Sequence, residues 1–250
     1  MKPLYKIFFT LLIILTFPCF SESAENKKKA LIVVTSHDKL GTSGKQTGFW
    51  LCEATHAYLV LESKGFEIDF VSPLGGKAPV DERSLEPENA VNKTFNEKKD
   101  AVSKLENTLK PKDIKPEDYS VVIFVGGHGA LWDFVDNKYF EKIAAKVYEN
   151  GGIVAASEHG QAALLDVKLS NGRKLIEGRS VAAFNNEQEA EMKLTEFLPF
   201  SLEDEIIKRG AKFTEAPNWK PRVAVSERLI TGQNTASMKY LLDEIVKLLK

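Results

Sequence analysis

The sequence predicts a doubly wound α/β fold: a mostly parallel sheet with helices on both faces, carrying a small insertion. Three observations support this. Residues 29–36, 121–125 and 152–156 are continuous apolar runs rich in β-branched residues, as expected of strands buried on both faces. Segments with helical spacing alternate with strands over short connections, which implies parallel pairing with crossover helices. Finally, residues 151–165, GGIVAASEHGQAALL, pass from strand to helix within two or three residues. Such an elbow opens at the carboxyl edge of a sheet, where open α/β folds bind ligands.

In chain order, residues 1–24 precede the fold. Lys2 and Lys6 lead into an apolar run at 7–17, and a small polar segment follows at 19–24, the layout of a secretory signal peptide too short for a stable membrane span. Cleavage is expected near Ala24, although Glu22 fits the minus-three position poorly. Cys19 suggests a lipoprotein, but Thr16, Phe17 and Pro18 are not the small residues that processing wants. The mature domain, residues 25–250, is therefore expected in the periplasm. Losing Lys2, Lys6 and Glu22 turns 34 basic and 35 acidic residues into 32 and 34, a net charge of −2. No basic stripe for nucleic acid and no polybasic membrane anchor is present. About 226 residues suffice for one sizeable domain. Cys52 is its lone thiol, so no internal disulfide can staple it.

The first strand leads into a polar, Gly-rich loop at 37–48. Residues 53–65 place Ala54, Ala57, Tyr58 and Leu61 on one helical face and stop at Gly65. A second strand at 66–71 closes at Ser72 and Pro73, completing a βαβ start. Residues 77–118 break the rhythm. Charged and holding Pro79, Pro87, Pro111 and Pro116, they read as an insertion over the sheet edge, helical around 100–109, and either a lid or plain decoration. The strand at 121–125 ends at Gly126, Gly127, His128 and Gly129, and a helix at 137–150 carries Phe140, Ile143, Ala144 and Val147 on one face. Beyond the elbow, 169–175 has an Asn-Gly pair suited to a hairpin, 181–184 reads as a strand, and 187–209 as acidic helix broken at Pro199. Strands at 212–216 and 222–230 and an amphipathic helix at 237–250 complete a flavodoxin-like pattern.

If the sheet is parallel, three groups meet at one carboxyl edge. Glu53 starts the first helix; Gly126, Gly127, His128 and Gly129 can offer backbone N–H groups to a ligand or oxyanion; Glu158 and His159 occupy the elbow. Glutamate is an unusual occupant, because a strained elbow generally presents a nucleophile and a carboxylate is a weak one. His128 reads as a loop hydrogen-bonder. His37 and His56 could join it around a metal, but nothing in the spacing demands this, and no metal or cofactor is expected. Cys52 points about 100° away from Glu53 on the helix and is expected to pack as a small apolar side chain. Trp50, Trp132 and Trp219 read as core or pocket wall.

At these residues the chain resembles the ThiJ/PfpI superfamily, relatives of class I glutamine amidotransferases, and within it the chaperone, deglycase and glyoxalase III-like branch. The matching stretches are TGFWLCEATHAY (47–58), DFVSPLGGKAPVD (69–81), VGGHGALWDF (125–134), GGIVAASEHGQAALL and LITGQNTAS (229–237), which span almost the whole mature chain. The resemblance implies a conserved acid at Glu53, an oxyanion loop at Gly126 to Gly129 and a catalytic histidine at His159. A third acid that orients the histidine would fall among Glu187, Gln188 and Glu189. It also implies a nucleophilic cysteine where this chain has Glu158, a proline where it has Gln161, and another where it has Thr235.

Without a thiolate the family's hemithioacetal route is closed. The family geometry would bring Glu53 and Glu158 together in a partly buried pocket, where two carboxylates should share a proton. A glutamate at the elbow also resembles, in charge and oxygen count, a cysteine oxidised to sulfinate. Two functions remain open. One is an exported protein of the stress-response branch that has lost cysteine-dependent catalysis and works by binding a small carbonyl or acidic ligand, or unfolded protein clients, as a monomer or a homodimer. The other is an enzyme on small carbonyl compounds using Glu53, Glu158 and His159 as an acid-base site.

Overall fold

The apolar runs form the strands expected of them. The computed structural model describes residues 28–86 and 88–250, so the expected leader, with Cys19 and Ala24, lies outside the described residues. The strands are β1 (Lys29–Val33), β2 (Glu67–Val71), β3 (Tyr119–Phe124), β4 (Ile153–Ser157), β5 (Ser180–Val181), β6 (Lys212–Phe213), β7 (Val223–Ser226) and β8 (Leu229–Gly232). Six of them make one sheet in the order β2-β1-β3-β4-β8-β7, parallel throughout except for the antiparallel β7–β8 pair. The helices are α1 (Leu51–Ser63), α2 (Ala90–Asn96), α3 (Lys99–Glu106), α4 (Ala130–Asp133), α5 (Lys138–Glu149), α6 (Asn186–Met192), α7 (Leu202–Lys208) and α8 (Met238–Leu248). Among the described residues no helix is long and apolar enough to cross a membrane.

Because side chains alternate along a strand, β3 feeds both faces. Val121 and Ile123 pack with Ala54 and Leu61 of α1 and with Leu241 and Ile245 of α8. Val122 and Phe124 pack with Phe140, Ile143 and Val147 of α5 on the other side. Each such side chain contributes about 1.5–3 kcal/mol by leaving water. The result is the doubly wound, flavodoxin-like arrangement that the sequence implies.

The insertion lies over the sheet edge as expected. Leu109 donates its N–H to Phe70 O at 2.8 Å and accepts from Ser72 N at 3.2 Å, covering the free edge of β2. It holds two helices rather than one; α2, capped by the Asn89 side chain, has no counterpart in the sequence reading.

Other expectations need correction. Residues 222–230 are two strands, because Glu227 takes a left-handed φ of 58° and reverses the chain between β7 and β8. The 212–216 and 181–184 segments shrink to β6 and β5, which pair with each other in a separate two-stranded sheet. The acidic 187–209 stretch breaks first at Lys193, left-handed at φ 59°, well before Pro199; α7 then restarts on a Ser201 cap. After the elbow the chain forms only a short 3-10 helix, Gly160–Leu164. The Asn-Gly turn does form, with an antiparallel bridge between Lys168 and Lys174.

Candidate active site

The elbow is tight because several atoms hold it. Glu158 sits at φ 56°, a left-handed conformation that costs a non-glycine residue about 1–2 kcal/mol. Its N–H donates to Gly232 O at 2.9 Å, tying the turn to β8. A Cβ on Gly160 would stand 2.2 Å from Phe124 O, so the chain passes β3 at backbone distance. Gln161 Nε2, with two N–H groups, lies within hydrogen-bond distance of Ala156 O (3.3 Å), Ala182 O (2.6 Å) and Gly232 O (2.8 Å), ties that an apolar side chain at this position could not make.

The structure brings Glu53, Glu158, His159 and the glycine-rich loop together, with one correction. The Gly126 N–H donates to Glu53 Oε2 at 2.9 Å and the Gly127 N–H to Glu158 Oε2 at 2.5 Å. The amides expected to face an oxyanion are therefore occupied by the two carboxylates. Ser157 Oγ also donates to Glu53 Oε2. A Cβ on Gly126 would lie 2.6 Å from Glu158 Oε2 and 3.0 Å from Glu53 Oε2, so only glycine fits between the acids. Burial first, and the Glu158 charge second, push the Glu53 carboxyl up to about 8. Since Oε2 takes both donors, the proton belongs on Oε1, which is buried and has no partner among the described residues.

A second chain of contacts runs from the elbow into the insertion. His159 places Nδ1 3.2 Å from Glu158 Oε2 and Nε2 2.7 Å from Glu189 Oε1. Glu189 Oε2 lies 3.0 Å from His128 Nε2, and His128 Nδ1 lies 3.1 Å from an Arg83 Nη2 that also contacts Asp81. The third acid is thus Glu189; Gln188 turns instead to Gln233, and Glu187 is exposed. An arginine only donates, so His128 must accept at Nδ1 and carry its proton on Nε2, donating to Glu189. Burial lowers the pKa of His128, and the His159 charge adds to this. For His159 burial works the same way, but the Glu189 and Glu158 carboxylates outweigh it and hold the ring at about 9. Glu189 answers at about 2: burial would raise it, and the His159 charge and hydrogen bonds from both imidazoles bring it down.

His128, His159 and Glu189 have ligating atoms within 4.8 Å of one another. The set does not suit a metal, because a metal on His128 Nε2 would displace a proton that Arg83 prevents from moving to Nδ1. His37 and His56 do not join the cluster. His37 stacks on Trp132 at 4.7 Å, and His56 is half-buried on α1. The half-buried Cys52 thiol is pushed up to about 12, mainly by burial, and is not a nucleophile at neutral pH. Arg83 and Ser157 were not among the candidate residues; Arg83 lies in the charged insertion, where no pattern separates it from solvated neighbours.

Above these groups is a cavity of about 190 Å³, with His128 and Glu158 in its lining and Trp50, Phe184, Trp219 and Met192 as walls. Trp132 packs instead against the core.

A carboxyl-edge elbow backed by a histidine and an acid defines an α/β protein of the class that displays one reactive side chain on a strand-to-helix turn. The chain belongs to the DJ-1/PfpI family, whose model matches residues 46–248. It is 36% identical over 223 residues to the glutathione-independent glyoxalase HSP31 of Saccharomyces cerevisiae, covering 84% of this chain and 93% of that protein. The X-ray structure of Francisella tularensis Rapid Encystment Protein 24 kDa matches with a TM-score of 0.85 at 36% identity, over 89% of this chain and 99% of that one. Crystalline glyoxalase III from Candida albicans matches with a TM-score of 0.79 at 28% identity, over 88% and 97% of the two chains. The chain is thus a glyoxalase III-like member of the family.

Proposed function

We propose that this chain uses the pocket of its glyoxalase relatives to bind, and does not carry out thiol chemistry there. Glu158 carries the reading: the elbow side chain is a carboxylate, and the Gly127 amide beside it is already donating to that carboxylate. A carbonyl compound entering the pocket meets neither a thiolate nor a free pair of amides. The remaining uses are ligand binding in the cavity or holding unfolded clients, the latter drawing on exposed apolar side chains such as Leu74 and Leu85. The basic start and apolar run of residues 1–24 support export to the periplasm as part of this proposal, with cell fractionation as the check, and dimerisation belongs to the same proposal.

The test is methylglyoxal consumption by the purified mature protein beside Glu158→Cys. The expected result is a silent wild type and turnover in the cysteine variant, because His159 and Glu189 are already in place. Turnover by wild type would overturn the reading. A second reading is favoured by the neighbouring Glu53 and His159, both shifted toward their protonated forms at neutral pH: acid-base hydration or isomerisation of a small carbonyl compound. An activity of that kind that survived Glu158→Gln unchanged would remove it.

A further inference from the structure

We propose that the cavity at the elbow takes a small organic cation, an alkylated or quaternary ammonium seated between aromatic rings and the Glu158 carboxylate. The proposal rests on the reading that this pocket binds its ligand without thiol chemistry, and it names the ligand class.

The floor of the cavity offers an acceptor. Glu158 is only 4% exposed, and its hydrogen bonds from Gly127 and His159 both fall on Oε2. Oε1 has no hydrogen-bond partner among the described residues and is left for whatever enters. Several donors near the cavity are already committed, which leaves the Thr235 hydroxyl and the Trp50 indole N–H as the neutral donors in its lining. Gly126 N–H goes to Glu53, His128 Nε2–H to Glu189, Asn234 Nδ2 to Lys220 O and Trp219 Nε1 to Glu191 Oε2. A carboxylate oxygen that lines the cavity without a protein donor matches a cation, whereas an anion would meet a like charge there.

Local charge points the same way. Glu158 and Glu189 face one imidazolium, His159, while Arg83 is held by Asp81, so the group carries one net negative charge. Glu191, bound to the Trp219 indole at 2.7 Å, adds another carboxylate at the rim.

The walls supply the remaining element. Trp50, Phe184 and Trp219 border the cavity, and the electron-rich faces of such rings attract ammonium groups. Trp50 already has one cation, the Arg83 guanidinium, 6.0 Å from its ring centroid. Trp219 is 47% exposed and stands at a left-handed φ of 63°, edge-on to Phe184 with centroids 5.8 Å apart. A large exposed ring held in an unfavourable backbone conformation at a pocket rim needs a reason beyond packing, and a cation supplies one.

The experiment is calorimetric titration of the mature protein with choline and with 3,3-dimethylbutan-1-ol, its neutral isostere, repeated on Glu158→Gln and Trp219→Ala. Choline is expected to bind at least about tenfold more tightly than the alcohol, a gap within the range of cation–aromatic and charge contributions. Glu158→Gln should erase that preference, and Trp219→Ala, at the exposed rim, should weaken choline several-fold with folding intact. Equal binding of the two probes, or no binding of choline by wild type, overturns the cation assignment. Methylglyoxal turnover by wild type would instead overturn the underlying binding reading, and choline titration does not report it.

Discussion

The elbow and the glycine-rich loop each present an imidazole to Glu189, with ring centroids 4.1 Å apart, yet the two rings hold opposite charge states. His159 lies between two carboxylates and is raised to about 9 against the effect of burial. His128 is equally enclosed, but its second nitrogen faces Arg83, and burial together with the neighbouring His159 charge lowers it. Depth alone does not set the protonation of a buried histidine. What faces the nitrogen not already committed decides it.

Removing the shared acid should break this contrast with the largest effect. Glu189→Gln leaves His159 with one carboxylate and His128 with an amide, and should cost about 3–5 kcal/mol, as when one partner of a buried ion pair is lost. Urea unfolding measures the loss, and the His159 titration followed by NMR should move down in the same variant. A stability unchanged by the substitution would contradict the shared-acid arrangement.

Titrating the intact protein should reveal a smaller, graded effect. His159, raised from 6.5 to about 9, stabilises the fold fully below 6.5 and loses that contribution as pH climbs through about 9. Glu53, raised from 4.5 to about 8, behaves in the same sense, favouring the fold at low pH and losing its contribution as pH rises through about 8. Glu189, lowered from 4.5 to about 2, stabilises above 4.5 and stops doing so as pH falls through about 2. The melting temperature should therefore peak near pH 4.5, decline above it as the unfolded chain releases the Glu53 proton, and fall more steeply above about 6.5, where His159 adds its own loss, toward pH 9. Glu53→Gln should flatten part of that decline.

The smallest expected effect sharpens the comparison. Arg83→Gln removes the guanidinium from His128 Nδ1, so the His128 titration should move upward only slightly, because burial and the His159 charge still hold it down. Because Arg83 is about one-third exposed, the stability change should stay within about 1 kcal/mol. An unmoved His128 would show that burial, and not Arg83, sets its charge state.

Much of this was legible in the sequence because long-range order here follows from short-range patterns. Continuous Val and Ile runs could only be strands buried on both faces, and the parallel sheet they imply delivers Glu53, Gly126 and Glu158 to one edge. The reading failed where single residues override a pattern. A left-handed Glu227 splits an apparently continuous strand, and a left-handed Lys193 ends a helix that its acidic composition would extend. Arg83 stayed hidden because its importance comes from a contact 45 residues away, with His128, and no local periodicity marks it. The glycine-rich loop was only half legible for a related reason: spacing shows which amides reach the site but not that two glutamates accept from them.

The bond from Gly127 to Glu158 has a further consequence for competition. A carboxylate fixed to the chain a few bonds from its receptor acts as a tethered ligand, with a local concentration at or above the millimolar range. A free organic acid diffusing into the cavity would have to displace a rival that never leaves, and would gain only the difference between two similar bonds. The Glu158 side chain thus competes with any carboxylate for the Gly127 amide, and a residue change that shortens it would remove that competitor.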